Sequence, residues 1–286
     1  MTDFAKVALL GFGTMGAGIA QVIAASGRPV KVLELNQQRV DSGLTSLKNF
    51  LAVGVERGKL TSDDSAGIAG RVSGVTELAE IADCTLVIEA VTERRDVKRQ
   101  ILSDVAAIVA ADAVIVTNTS ALSVTDLSTS VSESSRFAGL HFFNPAPLMK
   151  VIEIVRAIGT DESVIDRLVV FVESMGKDPV VVKDRPGFLV NSLLMPYLND
   201  VIRELDAGLA SAGDIDAAIR LGLGYKIGPL ELLDMIGLDV HDHATTSAYE
   251  ATLDAKFASP PLLQQMIAAG RLGAKNGRGF RVGEEG

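Results

Sequence analysis

The feature that most constrains the fold is a glycine-rich segment between an apolar run and a helical pattern. The apolar residues 7–10 are followed by the hexapeptide Gly11-Phe12-Gly13-Thr14-Met15-Gly16. In a GxGxxG turn, the first glycine permits a tight bend, the second lets a pyrophosphate approach the backbone, and the third allows the helix to pack closely on the strand. The N-terminus of the helix then faces the phosphate charge. The motif predicts a βαβ unit with a dinucleotide site; the alternative is a tight turn with only a structural role.

A carboxylate ends the next predicted strand, which runs from Val30 to Glu34. It follows the glycine motif by about 20 residues, the offset expected of a residue that accepts hydrogen bonds from the adenosine ribose. A carboxylate in that place would repel a 2′-phosphate, so Glu34 favours NAD over NADP. The alternative is that Glu34 is a solvated residue at the end of a strand.

Short β-branched runs alternate with helical patterns from residue 6 to about residue 182, which is typical of a mostly parallel sheet with crossover helices. The predicted strands are Lys6 to Leu10, Val30 to Glu34, Thr85 to Ala90, Val114 to Asn118, Phe137 to His141, Val151 to Val155 and Pro179 to Lys183. Beyond the turn at residues 184–187, the pattern predicts helices at Phe188 to Leu205, Ala212 to Leu221, Pro229 to Met235, Asp239 to Phe257 and Pro261 to Ala269. We therefore expect an α/β fold with a Rossmann-type domain over residues 1–184 and an all-α domain over residues 185–286.

The charge balance excludes several classes of partner. There are 27 basic and 36 acidic residues, which gives a net charge of −9, so the overall field repels nucleic acid and anionic membrane surfaces. The single cysteine, Cys84, and the three histidines do not supply a structural zinc set. We found neither a signal peptide nor an apolar run of about 18 residues, so we expect a cytoplasmic protein without a metal or a membrane span.

Two residues of the first domain form a candidate acid–base pair. His141 closes a predicted strand, at the sheet edge where the ligands of open α/β sheets collect, although a lone histidine can also be a satisfied core residue. Glu153 stands inside an apolar run, and a buried carboxylate is costly unless it is paired. His141 is one candidate partner, and the pair would make an oriented general base. The alternative partner is Arg156.

Two further polar residues are placed where they could meet a ligand. Asn191 falls on the apolar stripe of the first helix of the second domain, so its amide needs a partner unless it is a capping or packing residue. Ser120 follows another strand and could present its hydroxyl to a ligand, although serines at strand ends are often caps.

Several spaced segments form a pattern that is more specific than the glycine motif alone. They are residues 11–16, Val87-Ile88-Glu89-Ala90-Val91-Thr92-Glu93, Asn118-Thr119-Ser120, His141-Phe142-Phe143-Asn144-Pro145, residues 184–191, residues 228–234 and Gly277-Arg278-Gly279-Phe280. Along the whole chain, this pattern resembles the short-chain L-3-hydroxyacyl-CoA dehydrogenase family, which includes the bacterial 3-hydroxybutyryl-CoA dehydrogenases.

The resemblance implies a role for each matching residue. His141 would be the catalytic base, Glu153 its orienting partner, and Ser120 and Asn191 the substrate contacts. The implied cofactor positions are Gly11, Gly13, Thr14, Met15, Gly16, Glu34, Glu93, Lys98, Asn118, Ser120 and Asn144, with Glu93 and Lys98 near the nicotinamide ribose. In this family the first domain binds NAD, the helical domain completes the cleft and forms a homodimer, and the acyl-CoA lies between the domains.

The chain departs from the family pattern at two positions. The family often has aspartate where Glu34 stands, and usually tyrosine where this chain has Arg281, which we expect to alter a packing or dimer contact. Three basic residues after the second strand, Lys48, Arg57 and Lys59, are candidate partners for the CoA phosphates. The alternative for each is a solvated helix face.

The expected reaction is NAD-dependent interconversion of an (S)-3-hydroxyacyl-CoA and the 3-oxoacyl-CoA. Alternatives are the same chemistry on an acyl-carrier-protein thioester, a relative that acts on a free hydroxy acid, and a dinucleotide-binding protein without catalysis.

Overall fold

The computed structural model describes residues 4–283. The chain divides into two compact units at the junction of Asp184 and Arg185. The first unit contains an eight-stranded sheet with strands β1 (Val7–Leu10), β2 (Val30–Leu33), β3 (Val72–Val75), β4 (Leu86–Glu89), β5 (Val114–Thr117), β6 (Phe137–Phe142), β7 (Val151–Arg156) and β8 (Asp178–Lys183). Its helices are α1 (Thr14–Ala25), α2 (Gln37–Glu56), α3 (Ser62–Gly70), α4 (Arg95–Ile108), α5 (Val124–Ser128) and α6 (Glu162–Ser174).

The order of the strands brings the ends of the central strands to one edge. The order is β3-β2-β1-β4-β5-β6-β7-β8, and every neighbouring pair is parallel except β6 with β7. Because β1, β2, β4, β5 and β6 run in the same direction, the residues that follow them share the carboxyl edge of the sheet, where open α/β folds bind ligands. The expected mostly parallel sheet is confirmed.

Apart from the polar residues that end β4 and β5, the central strands are apolar on both faces, which is typical of a sheet covered by helices on both sides. The residues of β1, β4 and β5 are all buried. One strand, β3, was not predicted. Its sequence has two valines around a serine and a glycine, and the missing side chain of Gly74 leaves room for Val40, which a Cβ would meet at 2.1 Å.

The second unit is helical. It contains α7 (Val190–Asp206), α8 (Ala212–Leu223), α9 (Pro229–Ile236), α10 (Leu238–Thr252) and α11 (Pro261–Ala268). The helix predicted over Asp239 to Phe257 is shorter than expected, since α10 ends at Thr252. Leu253 has a left-handed φ of 55°, and a 3₁₀ turn follows at Ala255–Phe257. Within residues 4–283, no helix combines the length and the apolar character needed to cross a bilayer.

Two motifs of the second unit serve its packing. The Asp234 carboxylate accepts hydrogen bonds from the backbone N–H groups of Phe280, Arg281 and Val282, at 2.7–2.9 Å. A Cβ at Gly279 would meet Asp234 Oδ1 at 2.0 Å, so only glycine fits there. Residues 228–234 and 277–280 are therefore joined through one buried carboxylate. Arg281 adds an ion pair from Nε to Asp216 at 3.2 Å, which is a packing contact within this unit.

Candidate active site

The glycine loop between β1 and α1 has the shape of a phosphate cradle. Gly11 has a left-handed φ of +94°, and a Cβ there would meet the Ala90 carbonyl oxygen at 2.9 Å. A Cβ at Gly16 would meet the Gly11 carbonyl oxygen at 2.1 Å, whereas a Cβ at Gly13 would meet no atom of residues 4–283 within 4 Å. The open space thus lies over the second glycine, where a pyrophosphate would approach.

The N-terminus of α1 leaves its backbone donors available to an anion. Its first two residues are Thr14 and Met15, and no side chain of the described residues caps it. Its first turn has no acidic residue that would compete with a phosphate. These residues fit the dinucleotide that the sequence predicts, because uncapped N–H groups and the helix dipole both favour negative charge.

Glu34 lies against the glycine loop. Its Oε1 accepts a hydrogen bond from the Phe12 backbone N–H at 2.7 Å, and its Oε2 accepts one from Leu35 N–H at 3.1 Å. The carboxylate is thereby fixed beside the cradle and is not freely solvated. Each oxygen retains a lone pair that could accept a ribose hydroxyl.

His141 and Glu153 are directly paired across the antiparallel strands β6 and β7. Nδ1 of His141 is 2.7 Å from Oε2 of Glu153, and both side chains are buried. Because a carboxylate can only accept, Nδ1 carries the proton of the neutral ring and Nε2 is left as the acceptor. The alternative pairing with Arg156 is wrong. Arg156 binds Glu162, and its odd separation from Glu153 turns the two side chains to opposite faces of β7.

Ser120 faces the other side of the imidazole. Its Oγ is 3.1 Å from Nε2 of His141. The Phe143 ring covers the imidazole, with the ring centroids 4.6 Å apart. A hydroxyl donor and an unprotonated ring nitrogen thus lie together at the carboxyl edge of the sheet, which is the arrangement a general base needs.

Glu93 organises the turn that carries Ser120. Its Oε1 accepts hydrogen bonds from Thr119 Oγ1, from Ser120 N–H at 2.9 Å and from Ala121 N–H at 3.1 Å. Lys98, which is only 1% exposed, lies 3.2 Å from its Oε2. Burial opposes the ionisation of Glu93, but the Lys98 charge and these hydrogen bonds outweigh it and hold the pKa of the carboxyl below its usual value.

Two asparagines occupy different surroundings. Asn118 is buried, and its Oδ1 accepts a hydrogen bond from Phe142 N–H at 2.9 Å, which joins β5 to β6. Asn144 is exposed beyond the end of β6 and precedes a cis peptide bond to Pro145.

One buried carboxylate of this region was missed as a site residue. Glu89 ends β4, is fully buried, and binds Lys98 Nζ at 2.7 Å and Thr117 Oγ1 at 2.6 Å. The signal that identified Glu153, an acidic residue in an apolar strand, was equally present in Leu86–Glu89.

The remaining predicted residues lie elsewhere. Lys48, Arg57 and Lys59 are exposed on α2 and the turn after it, and Lys48 lines a groove of about 480 Å³ between α2 and α3. Asn191 belongs to the second unit, where it is half-buried at the second position of α7. The fully buried amide of that helix is Asn199, which sequence reasoning missed; it binds His241 and Thr245.

The first unit has the features of a nicotinamide-dependent oxidoreductase, namely a dinucleotide cradle and an oriented histidine at the same sheet edge. Comparison with known families agrees. The 3-hydroxyacyl-CoA dehydrogenase NAD-binding domain matches residues 6–185, and the 3-hydroxyacyl-CoA dehydrogenase C-terminal domain matches residues 187–282. The chain therefore belongs to the 3-hydroxyacyl-CoA dehydrogenase family, and its cofactor is NAD.

Individual relatives match over nearly the whole chain. A 3-hydroxybutyryl-CoA dehydrogenase of Bradyrhizobium diazoefficiens is 37% identical over 275 residues, which cover 96% of this chain and 94% of the relative. A 3-hydroxyadipyl-CoA dehydrogenase of Escherichia coli is 38% identical over 98% of this chain and 59% of its own length. The crystal structure of (S)-3-hydroxybutyryl-CoA dehydrogenase from Ralstonia eutropha superimposes with a TM-score of 0.94 at 38% identity, covering 98% of this chain and 99% of that one.

Proposed function

We propose that this protein interconverts (S)-3-hydroxyacyl-CoA and 3-oxoacyl-CoA, with His141 as the general base. The observation that carries the proposal is the bonding of the imidazole. Glu153 holds Nδ1 and leaves Nε2 facing Ser120, at the sheet edge that also carries the glycine loop. Two relatives that match nearly the whole chain are named 3-hydroxybutyryl-CoA dehydrogenases, which supports a CoA thioester as the substrate.

His141 performs the proton transfer. In the oxidation, Nε2 accepts the proton of the C3 hydroxyl as the hydride leaves C3. Bound NAD would supply the hydride acceptor, and NADH the donor in the reverse reaction. As the ring becomes cationic, the buried Glu153 carboxylate stabilises it through Nδ1–H. Ser120 Oγ donates to the C3 oxygen, and Asn191 contacts the substrate carbonyl as the family pattern implies.

The residues around the glycine loop would hold the cofactor. The N–H groups of Thr14 and Met15 would face the pyrophosphate, Glu34 the adenosine ribose, and Glu93 with Lys98 the nicotinamide ribose. Asn118 and Asn144 complete the predicted set at the nicotinamide end.

The carrier, the assembly and the location are further parts of the proposal. Lys48, Arg57 and Lys59 form a basic set on a chain of net charge −9, and such a set would favour a carrier with phosphates. We also propose a homodimer through residues 185–286 and a cytoplasmic location.

Steady-state kinetics test the proposal. We expect turnover of acetoacetyl-CoA with NADH, weaker turnover with NADPH, and no turnover of free acetoacetate. A preference for acyl-carrier-protein thioesters over CoA thioesters would contradict the carrier assignment. Comparing kcat/KM for 3-hydroxybutyryl-CoA and 3-hydroxyadipyl-CoA, the substrates after which two relatives are named, shows which of the two this enzyme prefers. NADH binding without turnover of any of these thioesters would contradict the enzymatic function.

A further inference from the structure

We infer that the buried Glu89 is a positioning residue for the reaction, which acts by fixing the turn that presents Ser120 to His141. The inference rests on the proposed roles of Ser120 and His141. Glu89 ends β4, the strand paired with β5, and its carboxylate accepts hydrogen bonds from Lys98 Nζ, Thr117 Oγ1 and the Val91 backbone N–H. Of these three partners, Lys98 and Thr117 connect Glu89 to the turn that carries Ser120.

The first path runs from Glu89 Oε1 through a buried lysine. Oε1 accepts a hydrogen bond from Lys98 Nζ at 2.7 Å, and the same ammonium group lies 3.2 Å from Glu93 Oε2. Lys98 is thus held between two carboxylates. The other oxygen of Glu93 accepts hydrogen bonds from the Thr119 hydroxyl and from the backbone N–H groups of Ser120 and Ala121.

The second path runs from Glu89 Oε2 along β5. Oε2 accepts a hydrogen bond from Thr117 Oγ1 at 2.6 Å, and Thr117 Oγ1 in turn accepts one from Thr119 N–H at 3.3 Å. Both oxygens of Glu89 therefore lead to the turn at residues 119–121. The two paths meet at Thr119, and the next residue is Ser120, whose Oγ is 3.1 Å from His141 Nε2.

The burial of the group explains why its placement is strict. Glu89 and Lys98 are 0% and 1% exposed, so water cannot replace either partner. Leaving a buried charge without its partner is far more costly than losing a surface pair. The fixed Glu89 carboxylate thus determines the positions of Lys98, of Glu93 and of the turn that carries Ser120.

Glu89→Gln tests this inference by removing the charge while keeping the shape. A displacement of a reacting group by about 1 Å can cost about 100-fold in rate, so we expect kcat for (S)-3-hydroxybutyryl-CoA oxidation to fall about 10- to 100-fold. Lys98 and Glu93 are also the proposed contacts of the nicotinamide ribose, so we expect KM for NAD to rise as well, and kcat is measured with saturating NAD. A raised KM for NAD with an unchanged kcat would place Glu89 in the cofactor site and overturn the inference.

A double-mutant cycle with Ser120→Ala shows through which residue Glu89 acts. If it acts through the Ser120 hydroxyl, Glu89→Gln should lower kcat by less than threefold in the Ser120→Ala background. An equal fall in both backgrounds would overturn the inference. If Ser120→Ala lowers kcat and Glu89→Gln does not, this inference is wrong and the proposed function stands. If Ser120→Ala itself turns over like wild type, the role of Ser120 in the proposed function fails, and the inference fails with it.

Two more variants separate positioning from folding. Thr117→Val breaks the second path alone, and we expect it to lower kcat in the same direction as Glu89→Gln but by less. Arg136→Met removes another buried charge of this unit, whose hydrogen bonds go to the carbonyls of residues 106, 110 and 113. It should lower the melting temperature and leave the kcat of the folded enzyme unchanged. A similar loss of kcat in Arg136→Met, or a wild-type kcat in Thr117→Val, would contradict the inference.

Discussion

Glu153→Gln tests the charge that stabilises the imidazolium. The glutamine oxygen can still accept the hydrogen bond from Nδ1 of His141, so the substitution keeps the geometry and removes the negative charge. Both side chains are buried and their atoms are 2.7 Å apart, so solvent screens the interaction weakly. A hydrogen bond to a charged group makes a net contribution of about 1.5–3 kcal/mol, against about 0.5–1.5 kcal/mol for a neutral one, so removing the charge alone costs about 1–1.5 kcal/mol. Since about 1.4 kcal/mol corresponds to a tenfold change in rate, we expect kcat to fall about 5- to 12-fold.

The assay is oxidation of (S)-3-hydroxybutyryl-CoA at neutral pH, followed by the appearance of NADH. The dissociation constant of NADH should stay within twofold of wild type, because Glu153 binds His141 and is not among the predicted cofactor residues. Glu162→Gln is the matched control. It removes the exposed partner of Arg156 and should leave kcat unchanged. A kcat within twofold of wild type for Glu153→Gln, or an equal fall in the control, would refute the reasoning.

Three further predictions concern the cofactor, the carrier and the stability of the helical unit. We expect a higher kcat/KM with NADH than with NADPH, and Glu34→Gln should reduce the preference for NADH. If the wild-type kcat/KM with NADPH equals or exceeds that with NADH, the role of the carboxylate is contradicted. Replacing Lys48, Arg57 and Lys59 together by alanine should raise KM for acetoacetyl-CoA, most at low salt, and much less for a pantetheine thioester without the nucleotide phosphates. An equal rise in KM for both thioesters would contradict the assignment of these three residues to the CoA phosphates. Burial lowers the pKa of His241 from 6.5 to about 4, so the unfolded chain binds a proton before the folded one does. The contribution of neutral His241 to the free energy of unfolding is fully present above pH 6.5. It should be lost as the pH falls towards 4, by about 3 kcal/mol in total. Urea unfolding at pH 7 and pH 4.5 measures the total loss of all titrating groups, and in His241→Gln this loss should be smaller by about the His241 contribution; an unchanged loss in the variant would contradict the assignment.

The paired histidine and glutamate show how far sequence reasoning reaches. A carboxylate within an apolar strand needs a partner, and the requirement pointed to His141 on the preceding strand. The antiparallel register of β6 and β7 brings the two side chains opposite each other. A local pattern was sufficient here because the partner lay on the neighbouring strand along the chain.

Features that depend on distant packing were not accessible in this way. The strand Val72–Val75 has a serine and a glycine between its two valines, which weakens the pattern of a strand, and its pairing with β2 stabilises the extended backbone. Asn191 was placed on the apolar stripe of its helix and is half-buried, whereas the fully buried amide of α7 is Asn199, which is hydrogen-bonded to His241 of another helix. The Glu89 network joins three separate segments, so its members could not be matched from spacing.

Single-turnover kinetics of His141→Gln test the central claim most directly. Glutamine keeps a polar side chain in the site but accepts no proton from the C3 hydroxyl. With the variant saturated with NAD and (S)-3-hydroxybutyryl-CoA, we predict that the rate of NADH formation falls about 10²- to 10⁴-fold, the usual contribution of a positioned base, while NADH affinity stays within twofold of wild type. A near-normal rate of hydride transfer would contradict the assignment of His141 as the base.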